Sequence, residues 1–201
     1  MEEPRWLDAE ELQTWCTLTG LLVRLPSALD AQLQRDAGIS LFEYQTMAAL
    51  SEAPGRSMRM SRLAMFAEGS LPRMSQAVGR LEKRGWIRRT PDPTDGRFTL
   101  AILTDAGWEK VTATAPGHVE AARTLVFDPL TKAQTRRLAE ISRRILRAID
   151  PGNPCPAERP AAIARDGRRP GADSTPAGPA AIGPGDPRPE ERSAAAGPAI
   201  D

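Results

Sequence analysis

Apolar residues recur every three to four positions at both ends of the first 150 residues of this chain, and every second position in one short interval between. Leu18, Leu21, Leu22, Leu25 and Leu29 make one helical stripe. Leu138, Ile141, Ile145 and Ile149 make another, with Arg136, Arg137, Arg143, Arg144 and Arg147 largely off it. In the middle, Met74, Ala77, Val78 and Leu81 have the inward spacing of a helix whose remaining surface is polar and basic. From Trp86 the period changes. Trp86, Ile87, Phe98, Leu100, Ile102 and Leu103 suit two short strands, joined across Pro91 to Gly96 with Asp95-Gly96 as the turn.

End signals divide the helical pattern into six. Asp8 and Glu11 have capping-box spacing, with Leu7 and Leu12 as a hydrophobic staple, and the helix they start runs towards Arg35 with a kink expected at Pro26. Ser40 and Glu43 box a second helix, stapled by Ile39 and Tyr44 and ended by Pro54-Gly55. Ser61 is expected to cap a short third helix through Ala67. Ser70 caps a fourth, with Pro72 in its first turn and Gly85 as its stop. Thr104 caps a fifth, with an interruption expected at Pro116-Gly117, and Thr131 with Gln134 boxes the sixth. The chain is therefore mainly α with a small β-hairpin wing: a winged helix-turn-helix over 40–103, and helices over 8–36 and 104–149 available for dimerisation. Residues 151–201 are different material. Of 51 residues, 11 are Pro, 7 Gly and 12 Ala, with no aromatic, so a disordered tail is expected.

A net charge of +1 hides an uneven distribution. Between Arg56 and Arg97 there are ten basic and four acidic residues, a net +6, against eleven basic and fifteen acidic in the rest of 1–150. A basic block in an acidic frame suits a polyanion on one face. On the fourth helix Arg73, Ser75, Gln76 and Arg80 fall off the apolar face, and Arg and Gln are the side chains that pair bidentately with guanine and adenine. Ser70 and the free N–H groups at that helix start suit a phosphate. Arg97 follows the expected turn and would enter a minor groove, with Asp95 bracing its guanidinium. Lys83 and Arg84 suit the helix C-terminus, and Arg88 and Arg89 suit phosphate contact or solubility.

Enzyme chemistry finds little support. The sole histidine is His118, and there is no Cys/His metal spacing, glycine-rich phosphate loop or Ser-His arrangement, so no cofactor is expected. Cys16 and Cys155 suggest no disulfide framework, in keeping with a cytoplasmic protein. No apolar run approaches a membrane span, and the start MEEPRWLDAEE is acidic, unlike a signal peptide.

The segments ISLFEYQTMAALSEAPG, MSRLA, SQAVGRLEKRGWIRR and DGRFTLAILTDAG resemble the MarR family of transcriptional regulators, and the likeness covers about residues 8–149. The resemblance implies a dimer built from the first, fifth and sixth helices, a palindromic double-stranded DNA operator, repression, and release by a small aromatic or phenolic effector. The family's recognition-helix positions fall on Leu71, Pro72, Arg73, Ser75, Gln76 and Arg80, its wing arginine on Arg97 and that arginine's partner on Asp95. A ligand pocket between the first, second and fifth helices and the DNA-binding lobe would draw on Trp15, Tyr44, Met47, Phe66 and Trp108. Gly96 and Gln76 depart from positions where members often carry a base, and the tail is outside the family pattern. Two other readings stay open: a thiol-based redox sensor through Cys16, although a cysteine beside Trp15 on an amphipathic helix is more often a small buried hydrophobe, and a winged-helix protein-interaction module without DNA binding.

Overall fold

A computed structural model describes residues 4–151. Apart from Pro151, the expected tail lies outside the described residues. The helices are α1 (Ala9–Ala37), α2 (Leu41–Glu52), α3 (Met60–Phe66), α4 (Leu71–Lys83), α5 (Asp105–Ala122) and α6 (Lys132–Ile149). The strands are β1 (Ser57–Arg59), β2 (Ile87–Asp92) and β3 (Asp95–Leu103), in one antiparallel sheet of order β1-β3-β2. Three of the helix starts carry reciprocal capping boxes, Asp8/Glu11, Ser40/Glu43 and Thr131/Gln134, each satisfying two backbone donors.

Four local expectations need correction. The first concerns the hairpin turn, which is Pro93-Thr94, because Asp95 and Gly96 already belong to β3 and Asp92 pairs with Asp95. The Asp92 carboxylate forms that turn by accepting from the Thr94 amide at 2.9 Å and the Thr94 hydroxyl at 2.7 Å. Secondly, Ser61 lies inside α3, whose N-cap is Arg59 with no side-chain cap bond. Thirdly, Pro26 and Pro116 each sit within a continuous helix. A proline removes one ladder bond, and packing between α1, α2 and α5 holds the helical path. The irregularity after α5 comes instead at Arg123–Phe127, a π-turn closed by the Asp128 amide on the Arg123 carbonyl at 2.8 Å. Finally, β1 is a strand that the sequence pattern does not predict. Three residues are too few to show a period of two, and the strand exists because β3 offers an open edge at Leu100–Ile102.

The core lies where α2, α3 and α4 meet the sheet. Leu33, Ile39, Met47, Leu50, Leu63, Met74, Val78 and Leu81 are wholly buried there. The end of α1 and the first half of α5 close it, through Leu33 and Val111. Gly85 takes φ +74 to turn α4 into β2. Gly107 lets the first turn of α5 lie on the Trp86 carbonyl, where a Cβ would collide. The two ends of the chain contrast with this lobe: α6 has no buried residue, and α1 buries only Gln32 and Leu33.

Candidate nucleic-acid interface

The fourth helix divides as its pattern requires. Met74, Ala77, Val78 and Leu81 are buried, while Leu71, Pro72, Arg73, Ser75, Gln76 and Arg80 are exposed. Ser70, also exposed, is the N-cap, its hydroxyl accepting from the Arg73 amide at 3.4 Å, and Pro72 occupies the first turn, where its missing N–H costs nothing. The Arg73 guanidinium rests 4.3 Å from the centre of the Phe42 ring. A cation over an aromatic face is partly ordered before it meets any ligand. Gly69 makes room for that ring, since a Cβ there would come within 2.8 Å of it.

Arg80 has a second duty that its helical position does not suggest. Its Nε donates to Glu43 Oε1 at 2.7 Å, and Glu43 is almost wholly buried. The other Glu43 oxygen accepts from the Ser40 amide at 3.0 Å, so one carboxylate caps α2 and ties it to α4. Burial raises the Glu43 carboxyl, but the Ser40 amide and the Arg80 guanidinium outweigh it and hold the group below its ordinary value. Arg80 is still more than half exposed. The two partners are 37 residues apart, and no local spacing announces the pair.

The wing carries Arg97 as its most exposed cation in an ion pair, 85% accessible. Asp95 braces it as expected: Arg97 Nη2 donates at 2.7 Å and Nε at 3.0 Å, and the Arg97 amide donates at 3.1 Å. These bonds lower the Asp95 carboxyl and raise the Arg97 guanidinium. Arg97 stands in the strand beyond the turn rather than at its tip, because the turn falls two residues earlier than its sequence suggests.

Much of the remaining basic block is internal wiring. Arg84 donates to the Gly38 carbonyl at 2.8 Å and lies over Trp86, closing the C-terminus of α1. Arg89 pairs with Glu82 through Nε at 2.9 Å and Nη2 at 2.6 Å, so the phosphate role considered for it competes with an intact fork. Arg56 pairs with Asp105 at 2.9 Å and covers Trp108. Arg59 donates to Asp92 at 2.6 Å. Neither the turn at Asp92 nor its partner Arg59, 33 residues away, is predicted by the local sequence pattern.

Between α4 and the wing runs a groove of about 280 Å³, lined by Leu71, Ser75, Arg59, Arg89, Arg97 and Phe98 among others. It is open, basic and flanked by the polar face of α4. The five residues considered for a ligand pocket are dispersed. Met47 is in the core, and Tyr44 is buried against His118 at a ring separation of 4.6 Å. Phe66 borders a cavity of about 360 Å³ with Gln45, Glu52 and Glu68, while Trp15 is exposed beside Leu7 and Leu18 on α1. Trp108 sits under Arg56. Cys16 is exposed, not buried. Among the described residues no helix is long and apolar enough to cross a membrane.

The MarR family model matches residues 37–97, which span α2 to the wing arginine. Over a longer stretch, the chain is 46% identical to Sco3205 of Streptomyces coelicolor, a MarR family transcriptional regulator solved in complex with DNA. The match covers 76% of this chain and 95% of that one, with a TM-score of 0.72. The chain belongs to the MarR family. Another MarR regulator of the same organism, AbsC, is 31% identical over 73% of this chain and 98% of its own, with a TM-score of 0.68. The HTH-type transcriptional regulator YdcH of Bacillus subtilis is 35% identical over 92 residues; that match takes in 41% of this chain and 63% of YdcH. As a MarR-family regulator, this chain carries its winged helix-turn-helix between helical ends that a single copy leaves largely uncovered.

Proposed function

We propose that this MarR-family regulator binds a two-fold-symmetric duplex operator as a homodimer and represses transcription. In this reading α4 enters the major groove through Leu71, Pro72, Arg73, Ser75, Gln76 and Arg80. Ser70 and the amides at the helix start hold a phosphate, and Arg97, braced by Asp95, enters the flanking minor groove. The observation that carries it is the open groove shared by the polar face of α4 and the Arg97 strand. The dimer reading is supported by apolar surface left bare on α1, the end of α5 and α6, including Leu22, Val119, Ile141, Ile145 and Ile149. Two half-sites separated by about 34 Å on one face of the duplex would then meet two copies of α4. A small aromatic or phenolic effector would act by changing the spacing between those copies. Acting on DNA, such a regulator would work in the cytoplasm.

Selection of bound fragments from a genomic DNA pool with the purified chain tests this reading. A two-fold-symmetric motif, bound with an affinity that falls steeply as salt rises, is the expected result. No enriched sequence together with a flat salt response would remove the reading and favour a protein-interaction module.

A further inference from the structure

The wing is longer than the sheet that supports it. Strand β1 pairs only with Leu100–Ile102 of β3, so from Asp95 to Thr99 the ribbon consists of β2 and β3 alone. A two-stranded ribbon without a third strand or a packed face is marginal in water. The ladder is also irregular there, with its register shifting between Pro91 and Asp92. Yet this unsupported part holds Arg97, and a minor-groove contact requires a fixed direction.

One side chain spans the gap. Arg59 ends β1 and is the N-cap of α3, so its backbone belongs to the helix-turn-helix. Its guanidinium reaches past the end of β1 to the overhanging ribbon. Nε donates to Asp92 Oδ2 at 2.6 Å and Nη2 to the Thr94 hydroxyl at 3.3 Å, while the guanidinium lies 4.4 Å from the centre of the Phe98 ring. These three contacts fall on the end of β2, the turn and β3. Asp92 is almost wholly buried although it sits beside the tip of a surface hairpin, and its other oxygen already organises the turn through Thr94. The Thr94 bonds and the Arg59 charge hold its carboxyl at about 2, so it is ionised at any working pH.

We infer that Arg59 and Asp92 form a strut that aims the wing: they are positioning residues acting through Arg97. The inference rests on the DNA-binding reading above. It makes a prediction opposite in sign to simple electrostatics. Removing a negative charge close to a DNA-facing surface should by charge alone strengthen binding. Removing Asp92 should weaken it, because the wing loses its direction.

The experiment uses the full chain, the duplex obtained by selection, and dimethyl sulfate, which methylates guanine N7 in the major groove and adenine N3 in the minor groove. Wild type and Arg97→Ala set the two references. Asp92→Asn is expected to lose adenine N3 protection in the flanking minor groove, as Arg97→Ala does, and to keep guanine N7 protection under α4. Its affinity falls roughly tenfold, the effect of one hydrogen bond to a charged group. Arg59→Lys keeps the charge but not the planar fork and should behave alike. Should Asp92→Asn fail to give a cooperative thermal transition, Arg59→Lys and Thr94→Val are read for the same two patterns. Unchanged or tighter binding with adenine N3 protection intact overturns the strut. Loss of both protections together overturns it as well, since the effect would then be general unfolding of the lobe. A wild-type protein that protects neither groove would overturn the DNA-binding reading itself, a distinct outcome.

Discussion

Leu81 and Ile145 occupy helices of similar design, each with an apolar stripe and a strongly basic remainder. Leu81 is wholly buried within its own chain, whereas Ile145 is 42% exposed. The difference lies in what surrounds them. α4 is clasped by α2, α3 and β2, while α6 follows a π-turn and a short loop with no buried residue of its own. Amphipathicity states that a helix needs a partner; it does not say whether that partner is in the same chain. The lobe is a completed core, and the two ends leave their apolar stripes largely uncovered within one chain.

The largest expected effect tests that division. Leu81→Ala should cost the lobe about 2–5 kcal/mol, read as a lowered midpoint in denaturant. Ile141→Glu with Ile145→Glu should instead leave the lobe folded and abolish the dimer in sedimentation. Operator affinity should then fall about a hundredfold or more as the two half-sites are no longer linked. A double variant that remains dimeric would place the contact on another face.

A smaller effect is expected at the seam between α2 and α4. Glu43→Gln can still accept from the Ser40 amide but loses its charge opposite Arg80. It should destabilise the lobe by about 1.5–3 kcal/mol, the range for a hydrogen bond to a charged group. It should also loosen sequence preference at the base pair facing Arg80, visible as a broadened motif in the selection. An unchanged motif with lowered stability would confine Arg80 to holding the two helices together.

The smallest effect concerns acid. The Asp92 carboxyl sits at about 2, below its ordinary 3.8. A group depressed in the folded state contributes stability that is fully present above its unfolded value and is lost as pH falls through its folded one. Thermal stability of the wild type should therefore decline between about pH 4 and pH 2, and Asp92→Asn should flatten part of that decline. Identical acid profiles would mean that other carboxylates, Glu43 first among them, carry it.

Local chemistry determines most of the architecture. Ser40 with Glu43, Thr131 with Gln134, and Ser70 ahead of Pro72 are complete helix signals within four residues, and each is realised. The inward and outward faces of α4, and the Asp95–Arg97 brace, follow from periods and spacings equally short. Tertiary structure alone decided the duties of the arginines. Arg59, Arg80 and Arg84 are chemically alike in the sequence, yet one spans to the wing turn, one is shared with a buried carboxylate and one closes a distant helix end. It also decided that β1 is a strand and that Pro93-Thr94 is the turn. The reason is physical: a cap, an amphipathic face or a brace two residues long is set by near neighbours, whereas a long-range ion pair such as Arg59–Asp92, or an edge strand, is set by whatever partner the fold brings across 30 or more residues.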